Sequence, residues 1–117
     1  MTATDRAVEL TRAAAAAADA KLATDIIAFD VSEQLAITDV FLLCSAANAP
    51  QVHAVHDAIE DALLAKGAKP VRREGHREAQ WVLLDFADIV VHVQNVEMRE
   101  YYALERLWSD CPVVPLS

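Results

Sequence analysis

The stretch "WVLLDFADIVVHV", residues 81–93, is nearly all apolar, yet it carries Asp85, Asp88 and His92. Two runs of β-forming residues, 80–86 and 89–95, flank Ala87-Asp88, which reads as a hairpin with a two-residue turn. Side chains alternate between faces along a strand, and cross-strand partners share a face. One face then carries Val82, Leu84, Phe86, Ile89, Val91 and Val93, all apolar. The other carries Trp81, Leu83, Asp85, Val90, His92 and Gln94. Burying a polar group without a partner costs about 1–3 kcal/mol, so the second face is expected to be at least half open.

After the hairpin, residues 96–108 read as a helix. At about 100° per residue, Tyr101, Leu104, Leu107 and Trp108 form its inward stripe. Met98, Arg99, Tyr102 and Arg106 look the other way, flanked by Glu105. Five of the chain's seven aromatics fall in this last third. An outward set of Trp, Met, Tyr and Arg has the composition of an interface anchor, although aromatics are more often packing residues and composition alone favours the core.

Before the hairpin, Thr4-Asp5 starts a helix over about residues 5–22, with Ala13 to Ala18 as its strongest helix-forming segment. Its few large apolar residues (Val8, Leu10, Leu22) predict that it packs closely through Ala or lies partly exposed. "DIIAFDV" (25–31) and "TDVFLLCSA" (38–46) read as strands. Asn48 and Pro50 open a second helix that Gly67 closes. Its apolar stripe is Val52, Val55, Ile59 and Leu63. "KPVRRE" suits a short edge strand, since Pro70 cannot donate to a ladder. The order of helix, two strands, helix, three strands and helix implies an α/β fold, one mixed sheet of about five strands flanked by helices.

The 117 residues suit a single domain with its own core. Apolar residues make up 55%, but 23 residues are Ala, and no run approaches bilayer length. The N-terminal segment lacks an export pattern, and two cysteines without a framework read as reduced thiols, so a cytoplasmic location is expected. The net charge of −8 disfavours a nucleic-acid backbone as partner and suits a basic protein.

Catalytic readings fare poorly. Asp85, Asp88 and His92 would not converge on a metal, because Asp88 lies in the turn and His92 pairs opposite Leu83. His53 and His56 make an H-x-x-H on the second helix, a weak zinc signal unless a Glu or other third ligand joins it. A core-edge His56, with His53 turned away toward Asp57, is the better reading. Cys44-Ser45 lacks the flanking glycines of a nucleophile elbow, and the two glycines, Gly67 and Gly75, cannot build a phosphate loop. Two-metal phosphoryl transfer commonly uses carboxylates at i and i+2 on one strand face, and no Asp or Glu pair has that spacing. The chain reads as a non-enzyme, with no cofactor and no metal.

The run Trp81, Asp85, Asp88, Val90 to Val93, Arg99, Tyr102, Leu104-Glu105 and Leu107-Trp108 resembles the C-terminal signature of the ribosomal silencing factor (RsfS, or Iojap) family. Asp25-Ile26, Asp30-Val31, Ile37-Thr38-Asp39, Cys44-Ser45, Gln51-Val52 and Glu74-Gly75 extend the likeness over about residues 6–110, leaving 110–117 as a Pro-containing tail. The resemblance implies a single domain related to nucleotidyltransferases but without their catalytic carboxylates. It implies binding to the large ribosomal subunit through ribosomal protein number fourteen, which blocks association with the small subunit and represses translation when nutrients are scarce. It also implies a homodimer when free. Assembly of the large subunit without silencing, or a nucleotide-binding enzyme on the same fold, are the alternatives. Two positions depart from the family pattern: Ala46 and Ala87 stand where Gly is usual. Because Ala tolerates positive φ poorly, Ala87 points to a turn of another type. The expected partner-binding residues are Trp81, Asp85 and His92 on the open face, with Arg99, Tyr102 and Glu105 from the last helix.

Overall fold

In the computed structural model, which describes residues 2–116, helix α1 (Asp5–Ala20) begins where the Thr4 hydroxyl accepts from the Ala7 N–H. Its buried side is mostly methyl groups, from Ala7, Ala14, Ala15 and Ala18 around Leu10, so it lies close to its neighbours as its composition requires. Strands β1 (Thr24–Asp30) and β2 (Val40–Ala46) follow. Asn48 caps α2 (Ala49–Leu64) by accepting from the Gln51 N–H. Gly67, at φ +81°, ends the last turn. Strands β3 (Arg72–Glu74), β4 (Trp81–Asp85) and β5 (Ile89–Asn95) complete one sheet, in the order β1-β2-β5-β4-β3. Only β2 and β5 run parallel. The mixed sheet agrees with the sequence reading.

Helices α1 and α2 cover one face of this sheet. Leu10, Val52, Val55, Ile59 and Leu63 meet Leu42, Val82, Leu84, Ile89, Val91 and Val93 in a single buried cluster. The second face carries a smaller cluster of Phe29, Val31 and Leu43, packed by Leu35, Phe41, Leu104 and Trp108. The C-terminal segment lies along β1: Asp30 donates to the Pro112 carbonyl and Val114 to that of Ala28. It thereby covers one sheet edge, while β3 forms the other. Gly75, at φ +79°, is required where the chain leaves β3, since a Cβ there would overlap the Trp81 carbonyl at the start of β4. Both cysteines are free; Cys44 is enclosed by hydrocarbon, and burial pushes its thiol up to about 12.

Two sequence expectations need correction. The last helix, α3 (Val96–Tyr102), stops six residues earlier than its periodicity suggested, because Ala103 turns left-handed at φ +44° and a 3-10 turn (Leu104–Arg106) follows. The 100° phase is lost there, so Tyr101 and Leu107, expected inward, are 81% and 69% exposed. The 87–88 turn is the second. Phe86 and Ile89 flank the expected two-residue loop, but Ala87 itself takes φ +71°. The Phe86 carbonyl accepts from the Asp88 N–H, the i to i+2 pattern of a γ-turn. Asp85 compensates, its Oδ1 accepting from the Ala87 N–H at 2.8 Å.

Candidate functional site

Alternation along the strands sets Trp81, Leu83 and Asp85 of β4 beside Val90, His92 and Gln94 of β5, with Phe41, Leu43 and Ser45 of β2 on the far side. The β4 side chains are half-buried, as expected for a partly open face, but Val90, His92 and Gln94 are buried. The expectation that His92 lies open is therefore corrected. A row of rings accounts for it, running across the sheet as Trp108, Phe41, His92, Trp81, Tyr102 and Tyr101. Successive centroids lie 5.1, 5.2, 6.0, 4.8 and 5.0 Å apart. The tilted and edge-on arrangements within the row are those aromatic quadrupoles favour. Phe41, which holds His92 from the far side, and Trp108, which packs on Phe41, were not among the expected site residues. The only sequence signal for Phe41 was its place in the alternation of β2.

Within the row, Trp81 Nε1 donates to His92 Nδ1 at 3.1 Å. Indole nitrogen can only donate, so the imidazole proton sits on Nε2, which is buried without a hydrogen-bond partner. Burial pushes the His92 pKa down to about 4, and the ring is neutral at pH 7. Both side-chain polar atoms of Gln94 are likewise buried and unpartnered.

Arg99 also departs from expectation. It was read as facing outward, but it is buried, with Nη1 donating to Ser45 Oγ at 3.1 Å and Nε facing Glu105 Oε2 at 3.3 Å. It reaches back under α3 to the end of β2 and ties the 3-10 turn to the sheet. The structure thus links Trp81 to His92 and Tyr102, and Arg99 to Glu105, whereas Asp85 sits at the opposite end of β4 from Trp81. Trp81, Asp85, Tyr102 and Glu105 keep exposed surface, whereas buried His92 braces Trp81 and buried Arg99 braces Glu105. Asp85 is also engaged with its own turn and lies 3.9 Å from Arg72. At the edge of the row Tyr101 and Tyr102 stand out into solvent, Tyr102 at 49% exposure.

The metal reading of Asp85, Asp88 and His92 finds no support in the geometry, since His92 Nδ1 is taken by Trp81. Among the described residues, ligand-type atoms gather instead at His56, Asp57 and Glu60 of α2. His53 does not turn to Asp57 as expected: its Nδ1 lies 3.0 Å from His56 Nε2. No helix among the described residues is long and apolar enough to cross a membrane.

This is a single-domain α/β protein whose sheet is helix-covered on one face and crossed by a row of rings on the other. Residues 4–117 match the family described as ribosomal silencing factor during starvation. The chain is 43% identical over 103 residues to the ribosomal silencing factor of Bacillus subtilis, covering 88% of this chain and 87% of that one. A crystal structure from Chromobacterium violaceum superposes with a TM-score of 0.83 at 32% identity, over 86% of this chain and 84% of that chain. A mouse relative, mitochondrial assembly of ribosomal large subunit protein 1, is 32% identical over 90 residues, 74% of this chain and 40% of that protein. The chain belongs to the ribosomal silencing factor family.

Proposed function

We propose that this protein is a non-catalytic, cytoplasmic repressor of translation. It binds the large ribosomal subunit through ribosomal protein number fourteen and blocks joining of the small subunit when nutrients are scarce. The observation that carries this reading is the exposed end of the ring row, Trp81, Tyr102 and Tyr101, with Glu105 on the adjoining 3-10 turn and Asp85 at the far end of β4, on a chain of net charge −8. Trp and Tyr are enriched among residues that dominate binding energy, and carboxylates around them suit a cationic protein surface. In this reading Trp81 and Tyr102 are the anchors, and Asp85 and Glu105 meet basic groups. His92 and Arg99 hold the anchors in place rather than touching the partner. The free protein pairs as a homodimer through the same exposed aromatics and becomes a monomer on the ribosome. Catalysis is disfavoured by the lack of acidic residues spaced i, i+2.

The test is to pre-incubate purified large subunits with the protein, add small subunits and resolve the mixture on a sucrose gradient. Co-migration with the large subunit and a loss of joined ribosomes are expected. Undiminished joining at saturating protein would contradict the reading. The name of the mouse relative favours a second role, in assembly of the large subunit. That role alone would leave joining of mature subunits unaffected.

A further inference from the structure

Helix α2, which packs on the other face of the sheet, carries His53, His56, Asp57 and Glu60, a group the proposed docking does not use. The His56 side chain is only 9% exposed, yet its Nδ1 faces two carboxylate oxygens, Asp57 Oδ1 at 3.3 Å and Glu60 Oε2 at 3.4 Å. Both separations exceed the usual 2.7–3.2 Å of an N–H···O hydrogen bond. They match the spacing of roughly 3.3 Å between donors around a tetrahedral ion with bonds of about 2.0–2.2 Å. The second ring nitrogen, Nε2, lies 3.0 Å from His53 Nδ1. If Nε2 carries the proton and donates to His53, the lone pair on Nδ1 points at two anions, which a cation between them would resolve. Glu60 divides its oxygens: Oε1 accepts from Arg73 Nε at 2.6 Å, leaving Oε2 for the imidazole. Such outer hydrogen bonds orient ligating side chains in metal sites.

We propose that His56 Nδ1, Asp57 and Glu60 bind a divalent transition-metal ion of the zinc class, with His53 and Arg73 orienting the ligands. One imidazole and two carboxylates suit such an ion, and three protein ligands leave its fourth position for water. Arg73 offsets one of the two carboxylates, so the site keeps a net negative charge that attracts a dication. The three ligand atoms lie within 4.8 Å of one another, and exposed Asp57 closes the remaining gap by rotating its side chain. The H-x-x-H pair is thus not itself the ligand set: His56 ligates with Asp57 and with Glu60 one turn beyond it, and His53 only orients His56.

The full chain, stripped with chelator and dialysed, is titrated with Zn²⁺ by calorimetry and with Co²⁺ by visible absorption. One saturable site is expected, with cobalt bands of tetrahedral intensity and a thermal midpoint that rises with zinc. Asp57→Asn, at an exposed position, and Glu60→Gln, at a partly buried one, should each weaken binding at least about ten-fold, and Arg73→Gln should do so by a smaller factor. His56→Ala should abolish the cobalt bands; should it not fold, the two carboxamide variants carry the test. Absence of saturable binding, or binding unchanged by both variants, overturns the proposal.

Discussion

On the helix-covered face of the sheet, β4 and β5 present Val82, Leu84, Ile89, Val91 and Val93, all hydrocarbon and all buried. On the opposite face the same strands present Trp81, Leu83, Asp85, Val90, His92 and Gln94, with a buried polar layer beneath half-open rings. One side is built for stability, its interior tightly excluding water. The other keeps unsatisfied polar atoms that a purely structural core would not retain. Such a face spends stability on surface chemistry, the pattern expected where a partner binds.

The neighbouring leucines of β4 test this contrast most sharply. Leu84→Ala, on the helix-covered face, should cost about 2–5 kcal/mol in urea unfolding. Leu83→Ala, half-buried on the ring face, should cost about 1 kcal/mol. Equal costs would erase the distinction.

Next in size is the acid sensitivity that His92 adds on the ring face. His92 titrates near 4 in the folded protein and near 6.5 when unfolded, so between these values the unfolded chain binds the extra proton. Stability is therefore full above about pH 6.5 and falls as the pH drops toward 4, by up to about 3 kcal/mol. Comparison of urea unfolding at pH 7 and pH 4.5 should show a smaller loss in His92→Phe than in the wild type. An identical loss would remove His92 from the account.

Gln94→Leu removes two buried atoms that lack partners, and should stabilise the fold by about 1 kcal/mol. A destabilised variant would mean that the amide is satisfied after all. The smallest effect concerns the turn joining the two strands. Ala87→Gly relieves a left-handed alanine, a strain of about 1–2 kcal/mol, against glycine's greater loss of chain entropy. A net gain of about 0.5 kcal/mol in the same unfolding assay is expected, and a loss would contradict the turn geometry.

The alternation of residues 81–93 placed each side chain on its correct face, because period-two geometry is local. It did not reveal what covers that face. The polar character of His92 and Gln94 implied openness, but Phe41, from a strand distant in sequence, closes over His92 and is itself backed by Trp108, from beyond the helix break. Arg99 was misjudged because its partners, Ser45 and Glu105, are fixed by tertiary contact. The early end of α3 was hidden by Ala103, a strong helix former that is left-handed here, after which Leu104 and Trp108 pack on the second cluster. The likeness to ribosomal silencing factors was legible from ordered single residues along nearly the whole chain, whereas the two-layered arrangement of the site was not.

The proposed docking is tested most directly by pelleting Trp81→Ala with purified large subunits, alongside urea unfolding of the same variant. A folded Trp81→Ala protein should lose at least about 2 kcal/mol of binding, roughly 30-fold in affinity. A folded variant that pellets as well as the wild type would contradict the assignment of this face.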